Sequence, residues 1–147
     1  MRLTLHTDYA LRTLMYLALQ EGRRPTIEEI AQRHAISRNH LMKVAATLVQ
    51  HGFVDSTRGR EGGLALARWA AAINIGTVVR ATEDNFTLVE CFDGESNTCV
   101  VAPACQLKQP FREAVQAFLG VLDRYTLADM IGSRTNLRSL QRLLGAA

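Results

Sequence analysis

Two short helical segments joined by a tight turn, a glycine-rich hairpin behind them, and a long amphipathic segment opened by Pro110 predict the fold class. The chain reads as mainly α with a small β-wing, a winged helix-turn-helix domain followed by a long dimerisation helix. Its 147 residues, 48% of them apolar, are enough for one real core and do not have the composition of a disordered chain.

Thr7 to Gln20 is expected as the first helix, because Leu11, Leu14, Leu17 and Ala18 recur at helical spacing. Asp8 and Arg12, four apart, share one of its faces. After a turn at Gly22–Pro25, Thr26 and Glu29 match a capping box, with Thr26 capping the second helix and Glu29 reaching back. That helix carries Ile30 and Ala31 and ends near His34. Ala35-Ile36 makes a short turn, and Ser37 caps a third helix to about Gln50 with Leu41, Val44, Ala45 and Leu48 inward. His51-Gly52 stops it. Phe53–Ser56 and Gly63–Ala67 read as the strands of a wing whose tip, Thr57–Gly62, holds two arginines. Ile75–Thr82 is a further short helix, followed by a loop over 83–107. The segment from Pro110 puts Phe111, Ala114, Val115, Phe118, Leu122 and Tyr125 on one stripe, which is expected to pack against a second copy of the chain. The tail from Ser133 is basic and weakly amphipathic, without a clear role. The expected division is 1–82 for the winged helix, 83–107 for the loop, 108–131 for dimerisation and 132–147 for the tail.

Charge is distributed unevenly. Residues 1–80 hold eleven Lys/Arg against six Asp/Glu, whereas residues 81–147 hold six against eight. A basic N-terminal half suits a double-stranded DNA operator. Ser37, Arg38, Asn39 and His40 form the first turn of the recognition helix, where Arg pairs with guanine and Asn with adenine. Lys43 and the capping Thr26 join them as DNA contacts, and at the wing tip Arg58, Gly59 and Arg60 suit a narrow minor groove. No run of 18 apolar residues spans a membrane, and residues 1–20 lack a signal-peptide pattern. A cytoplasmic address with reduced thiols is therefore expected.

The only cysteines, Cys91, Cys99 and Cys105, crowd into fifteen residues. Their spacing is neither that of a zinc ribbon nor that of a ferredoxin. By spacing alone a metal or iron–sulfur site competes with inert thiols, a Cys99–Cys105 disulfide switch and structural zinc. Three thiolates leave a four-coordinate centre one ligand short. No histidine follows Cys105 closely, so the missing ligand would come from the first helix, another subunit or a small molecule. No nucleophile–base pair, P-loop or dinucleotide fingerprint is present, so an enzyme is not expected.

The segments Leu3–Arg12, Ser37–Val44, Arg58–Gly63, Asn97–Lys108 and Leu122–Asp129 together carry a resemblance. The chain resembles the winged-helix regulator family that includes IscR, and within it the nitric-oxide-sensing repressors, over residues 1 to about 131. The resemblance implies a homodimeric repressor with an iron–sulfur cluster, [4Fe–4S] in preference to [2Fe–2S], held by Cys91, Cys99 and Cys105. It implies that Asp8 supplies the fourth ligand from the other subunit and that Arg12 holds that carboxylate. Nitric oxide would attack the cluster, release DNA and derepress detoxification genes. An iron–sulfur-status or thiol/disulfide regulator on the same scaffold is the alternative. IscR-like members carry a histidine just after the third cysteine, where this chain has Gln106-Leu-Lys108.

Overall fold

The first helix, α1 (Leu5–Ala18), is the post around which the others stand: it packs against α3 (Arg38–Gln50), α4 (Ile75–Thr82) and α6 (Leu127–Ile131). The structure, a computed structural model, describes residues 2–20, 22–59, 62–94 and 96–145. Ala10, Leu14 and Tyr16 of α1 are fully buried, together with Ile30 of α2 (Ile27–His34), Leu41 and Leu48 of α3, and Val78 and Val79 of α4. Burial of each large apolar side chain stabilises the fold by roughly 1.5–3 kcal/mol. No helix among the described residues is long and apolar enough to cross a membrane.

The helix-turn-helix follows the sequence closely. Thr26 caps α2 by accepting from the Glu29 N–H, and Ser37 caps α3 by accepting from the His40 N–H. Between them Ala35 takes φ 52, and the Ile36 N–H donates to the Ala31 carbonyl, which closes α2 tightly enough to swing straight into α3. The wing is an antiparallel pair, β1 (Val54–Thr57) and β2 (Gly63–Leu66), in register Val54 with Leu66 and Thr57 with Gly63. Its base rests on the turn before α2. The Leu64 N–H donates to the Pro25 carbonyl, and a side chain at Gly63 would run into the backbone of Arg24.

Several elements differ from the sequence reading. Helix α1 starts and ends two residues early, because the Thr4 hydroxyl accepts from the Thr7 N–H and caps it. Glu29 does not reach back to Thr26. Its carboxylate accepts from the buried Tyr16 hydroxyl at 2.9 Å and pairs with Arg23, partners stronger than an exposed backbone N–H. The long helix α5 (Lys108–Leu122) opens at Lys108 and not at Pro110. Proline is tolerated in a first turn, where its missing N–H would have no helical acceptor. Its stripe is only partly covered, and no residue of α5 is fully buried.

The tail folds back rather than trailing off. Thr126 and Asp129 form the reciprocal capping box of α6, and Leu127 is fully buried in the same core as α1. Helix α7 (Arg134–Leu144) follows, with Leu137, Leu140 and Leu144 packed on that core. The return is pinned at α4, where Asn74 donates to the Asp123 and Tyr125 carbonyls and Arg80 grips Asp123 at 2.5 and 2.7 Å.

Candidate DNA interface and thiol loop

The first turn of α3 exposes Arg38, Asn39, His40 and, one turn on, Lys43, while Leu41 and Val44 anchor the helix from behind. Ser37 and Thr26 are exposed as well, each spending its hydroxyl on a cap. Thr26, Arg38 and Gly59 line a single cleft of about 240 Å³ between the start of α2 and the wing. The structure therefore brings the first helix of the motif, the recognition helix and the wing onto one face, as a duplex backbone requires. Arg38 makes a loose ion pair with Glu28 at 3.4 Å, easily exchanged for a base or phosphate. At the wing tip Arg58 is exposed, and Gly59 at φ 109 turns the chain. Arg60 lies outside the described residues. Arg24 donates to Thr57 at 2.8 Å and props the wing from below.

Asp8 sits in the first turn of α1, nearly half exposed, where it is held by Arg12 at 2.7 Å. The Arg12 guanidinium also lies 5.9 Å from the centre of the Tyr9 ring, and Tyr9 meets the His40 ring at 6.2 Å. Tyr9 thus stands between the Asp8–Arg12 pair and the recognition helix, a role the sequence reading missed. The signal was present in the spacing, since Tyr9 and Arg12 lie three apart on one helix face. His6 reinforces the same junction through Thr47 of α3, at 3.1 Å.

Cys91 lies in a single 3-10 turn (Glu90–Phe92), while Cys99 and Cys105 lie in irregular chain. All three are free thiols of intermediate burial. Among the described residues no three His, Cys, Asp or Glu side chains stand close enough together to hold one metal ion. The donor set nonetheless fits an iron–sulfur group. It offers soft thiolate ligands, and no helix or strand between Cys99 and Cys105 opposes their convergence. One clasp orders the loop: the Thr98 N–H and hydroxyl both donate to Glu90, at 2.5 and 2.6 Å, closing the span between Cys91 and Cys99. Those hydrogen bonds hold the Glu90 carboxyl below its ordinary pKa.

A family model described as an iron-dependent transcriptional regulator, Rrf2, matches residues 3–133. The chain belongs to the Rrf2 family. It is 47% identical over 144 residues to the HTH-type transcriptional regulator NsrR of Bacillus subtilis, covering 97% of this chain and 99% of the relative. The NsrR of Geobacillus kaustophilus is 49% identical over 141 residues, 95% of this chain and 96% of its own. Among solved structures, T. potens IscR superposes with a TM-score of 0.71 at 26% identity, covering 89% of this chain and 86% of its own. CymR of B. subtilis, described as the global cysteine regulator, superposes at 0.66 with 28% identity, covering 88% and 95%. The expected resemblance and the expected winged-helix fold are both borne out. This Rrf2 protein is a DNA-binding transcriptional regulator and not an enzyme.

Proposed function

We propose that this Rrf2 protein is a homodimeric repressor that senses nitric oxide through an iron–sulfur cluster, [4Fe–4S] in preference to [2Fe–2S]. Cys91, Cys99 and Cys105 of one protomer would hold it, with Asp8 of the partner subunit as fourth ligand. When bound, the cluster supplies iron that reacts with nitric oxide. The observation that carries the reading is the position of Asp8: partly exposed, oriented by Arg12, and on the helix that packs directly against the recognition helix. A carboxylate is a labile partner beside three thiolates, which suits a site built to react.

The chain's own residues then do the coupling. Arg12 presents the Asp8 carboxylate outward, and Tyr9 and His6 tie the same turn of α1 to His40 and Thr47 of α3. An α1 tethered at Asp8 fixes the spacing of the two recognition helices in the dimer. An α1 set free lets that spacing relax, DNA affinity falls, and the genes for nitric oxide detoxification are expressed. Arg38, Asn39, His40, Lys43 and Ser37 read the operator with Thr26 on its backbone, while Arg58, Gly59 and Arg60 enter the minor groove.

The test is anaerobic purification from iron-replete cells, followed by visible absorbance and a gel shift during stepwise nitric oxide addition. A brown protein whose band bleaches as it leaves its operator supports the reading. A colourless protein that still binds DNA overturns it in favour of a thiol or zinc switch on the same scaffold.

A further inference from the structure

On a different part of the molecule, the C-terminal end of α1, the turn before α2 and the strand leaving the wing enclose an open cleft of about 650 Å³. Arg23, Arg24 and Arg68 line it, and among the described residues no carboxylate does. Its rim carries Trp69, the single tryptophan of the chain, 87% exposed. An indole left almost wholly in water is a large apolar surface without a partner. Leu17 and Leu66 continue the apolar wall.

The cations are not fully used. Arg23 is neutralised by Glu29, but Arg24 spends one N–H on Thr57, and Arg68 lies 5.7 Å over the Phe53 ring. A guanidinium has five N–H donors, so among the described residues both retain free ones. A second observation lies in the cleft wall. The side-chain amide nitrogen of Gln20 is buried and has no hydrogen-bond partner among the described residues. A buried donor without an acceptor is unfavourable, and turning it toward a ligand oxygen removes the penalty.

We infer that this cleft binds a nucleotide: the base stacks on Trp69, the phosphates sit on Arg24 and Arg68, and the Gln20 amide donates to an acceptor of the ligand. Stacking on an indole and phosphate held by guanidinium are the chemistries the lining offers. The volume, with two separate unspent guanidinium groups, is more than a single-ring carboxylate needs. The site is independent of the thiol loop, and its walls join α1 to the base of the wing.

Because Trp69 is the only tryptophan, its fluorescence reports the site directly. Titration of the full-length protein with ATP is expected to quench it saturably, with half-saturation below about 1 mM. Adenosine and pyrophosphate, each lacking half of the recognition, are expected to bind at least about tenfold more weakly, as is ATP with the Arg68→Gln variant. Circular dichroism checks that the variant folds. If it does not, calorimetry of ATP with Trp69→Phe against wild type decides, with a loss of at least about tenfold expected. Absence of saturable quenching, equal quenching by adenosine, or unchanged binding in a folded variant overturns the inference. So does quenching by an operator duplex alone, which would assign the cleft to DNA.

Discussion

Arg12 clasps Asp8 with two nitrogens, Nη2 at 2.7 Å from Oδ2 and Nε at 3.1 Å from Oδ1, while both side chains stay nearly half exposed. So exposed a pair adds at most about 1 kcal/mol to stability. Its effect is to fix the direction of a carboxylate on the helix that backs the recognition helix. Asp8→Ala is therefore expected to keep the wild-type melting temperature within a few degrees and to weaken nitric-oxide-controlled DNA binding. A gel shift with and without nitric oxide checks it, and a variant that responds like wild type would remove Asp8 from the pathway.

The recognition helix and the wing should fail in different ways. Arg38→Ala is expected to cost about 1–3 kcal/mol on the cognate operator and to relax specificity at one base pair. Arg58→Ala is expected to weaken operator and scrambled duplexes both, with a smaller loss of specificity than Arg38→Ala, and to lower the salt slope of binding by about one. Equilibrium binding to operator and scrambled duplexes over a range of salt separates the two.

Leu127 is fully buried although it lies beyond the long helix, in a five-residue element. Leu127→Ala is expected to destabilise the whole domain by about 2–5 kcal/mol, as a core truncation does. Chemical denaturation measures this, and a change below about 1 kcal/mol would show that α6 is peripheral to the cooperative core.

His34 closes α2 against the edge of the Tyr16 ring, with its Nε2 buried and without a partner among the described residues. Burial, aided by the Arg12 charge and opposed by Asp8, pushes its pKa below the ordinary histidine value of 6.5. In the window between the lowered folded pKa and 6.5 the unfolded chain binds more protons. Stability from this residue is therefore complete above 6.5 and is lost as pH falls through the folded pKa. His34→Gln is expected to flatten that acid limb in denaturation curves recorded at several pH values. An unchanged limb would show that another group titrates there.

Much of the reading head is legible in the sequence. The Thr26 and Ser37 caps, the α4 span Ile75–Thr82 and the inward set Leu41, Val44, Ala45 and Leu48 all stand where local chemistry put them. The reason is that caps and helical periodicity act within four residues, so the chain carries the whole cause. Glu29 shows where that logic stops. Its spacing to Thr26 is right for a capping box, yet it serves Tyr16, thirteen residues earlier in sequence. A buried hydroxyl without water outbids a solvated backbone N–H, and only packing reveals which hydroxyl is buried.

By itself, then, the sequence determined the winged helix-turn-helix, the crowding of three thiols on one loop, and the family, because these rest on local spacing and residue type. The tertiary structure alone decided that residues 127–144 return to the core and that Tyr9 joins Asp8 and Arg12 to His40. It also decided that Trp69 faces water among arginines. Those outcomes depend on which distant surfaces meet. They are fixed by competition for burial and hydrogen-bond partners across the whole chain, which no short window of sequence contains.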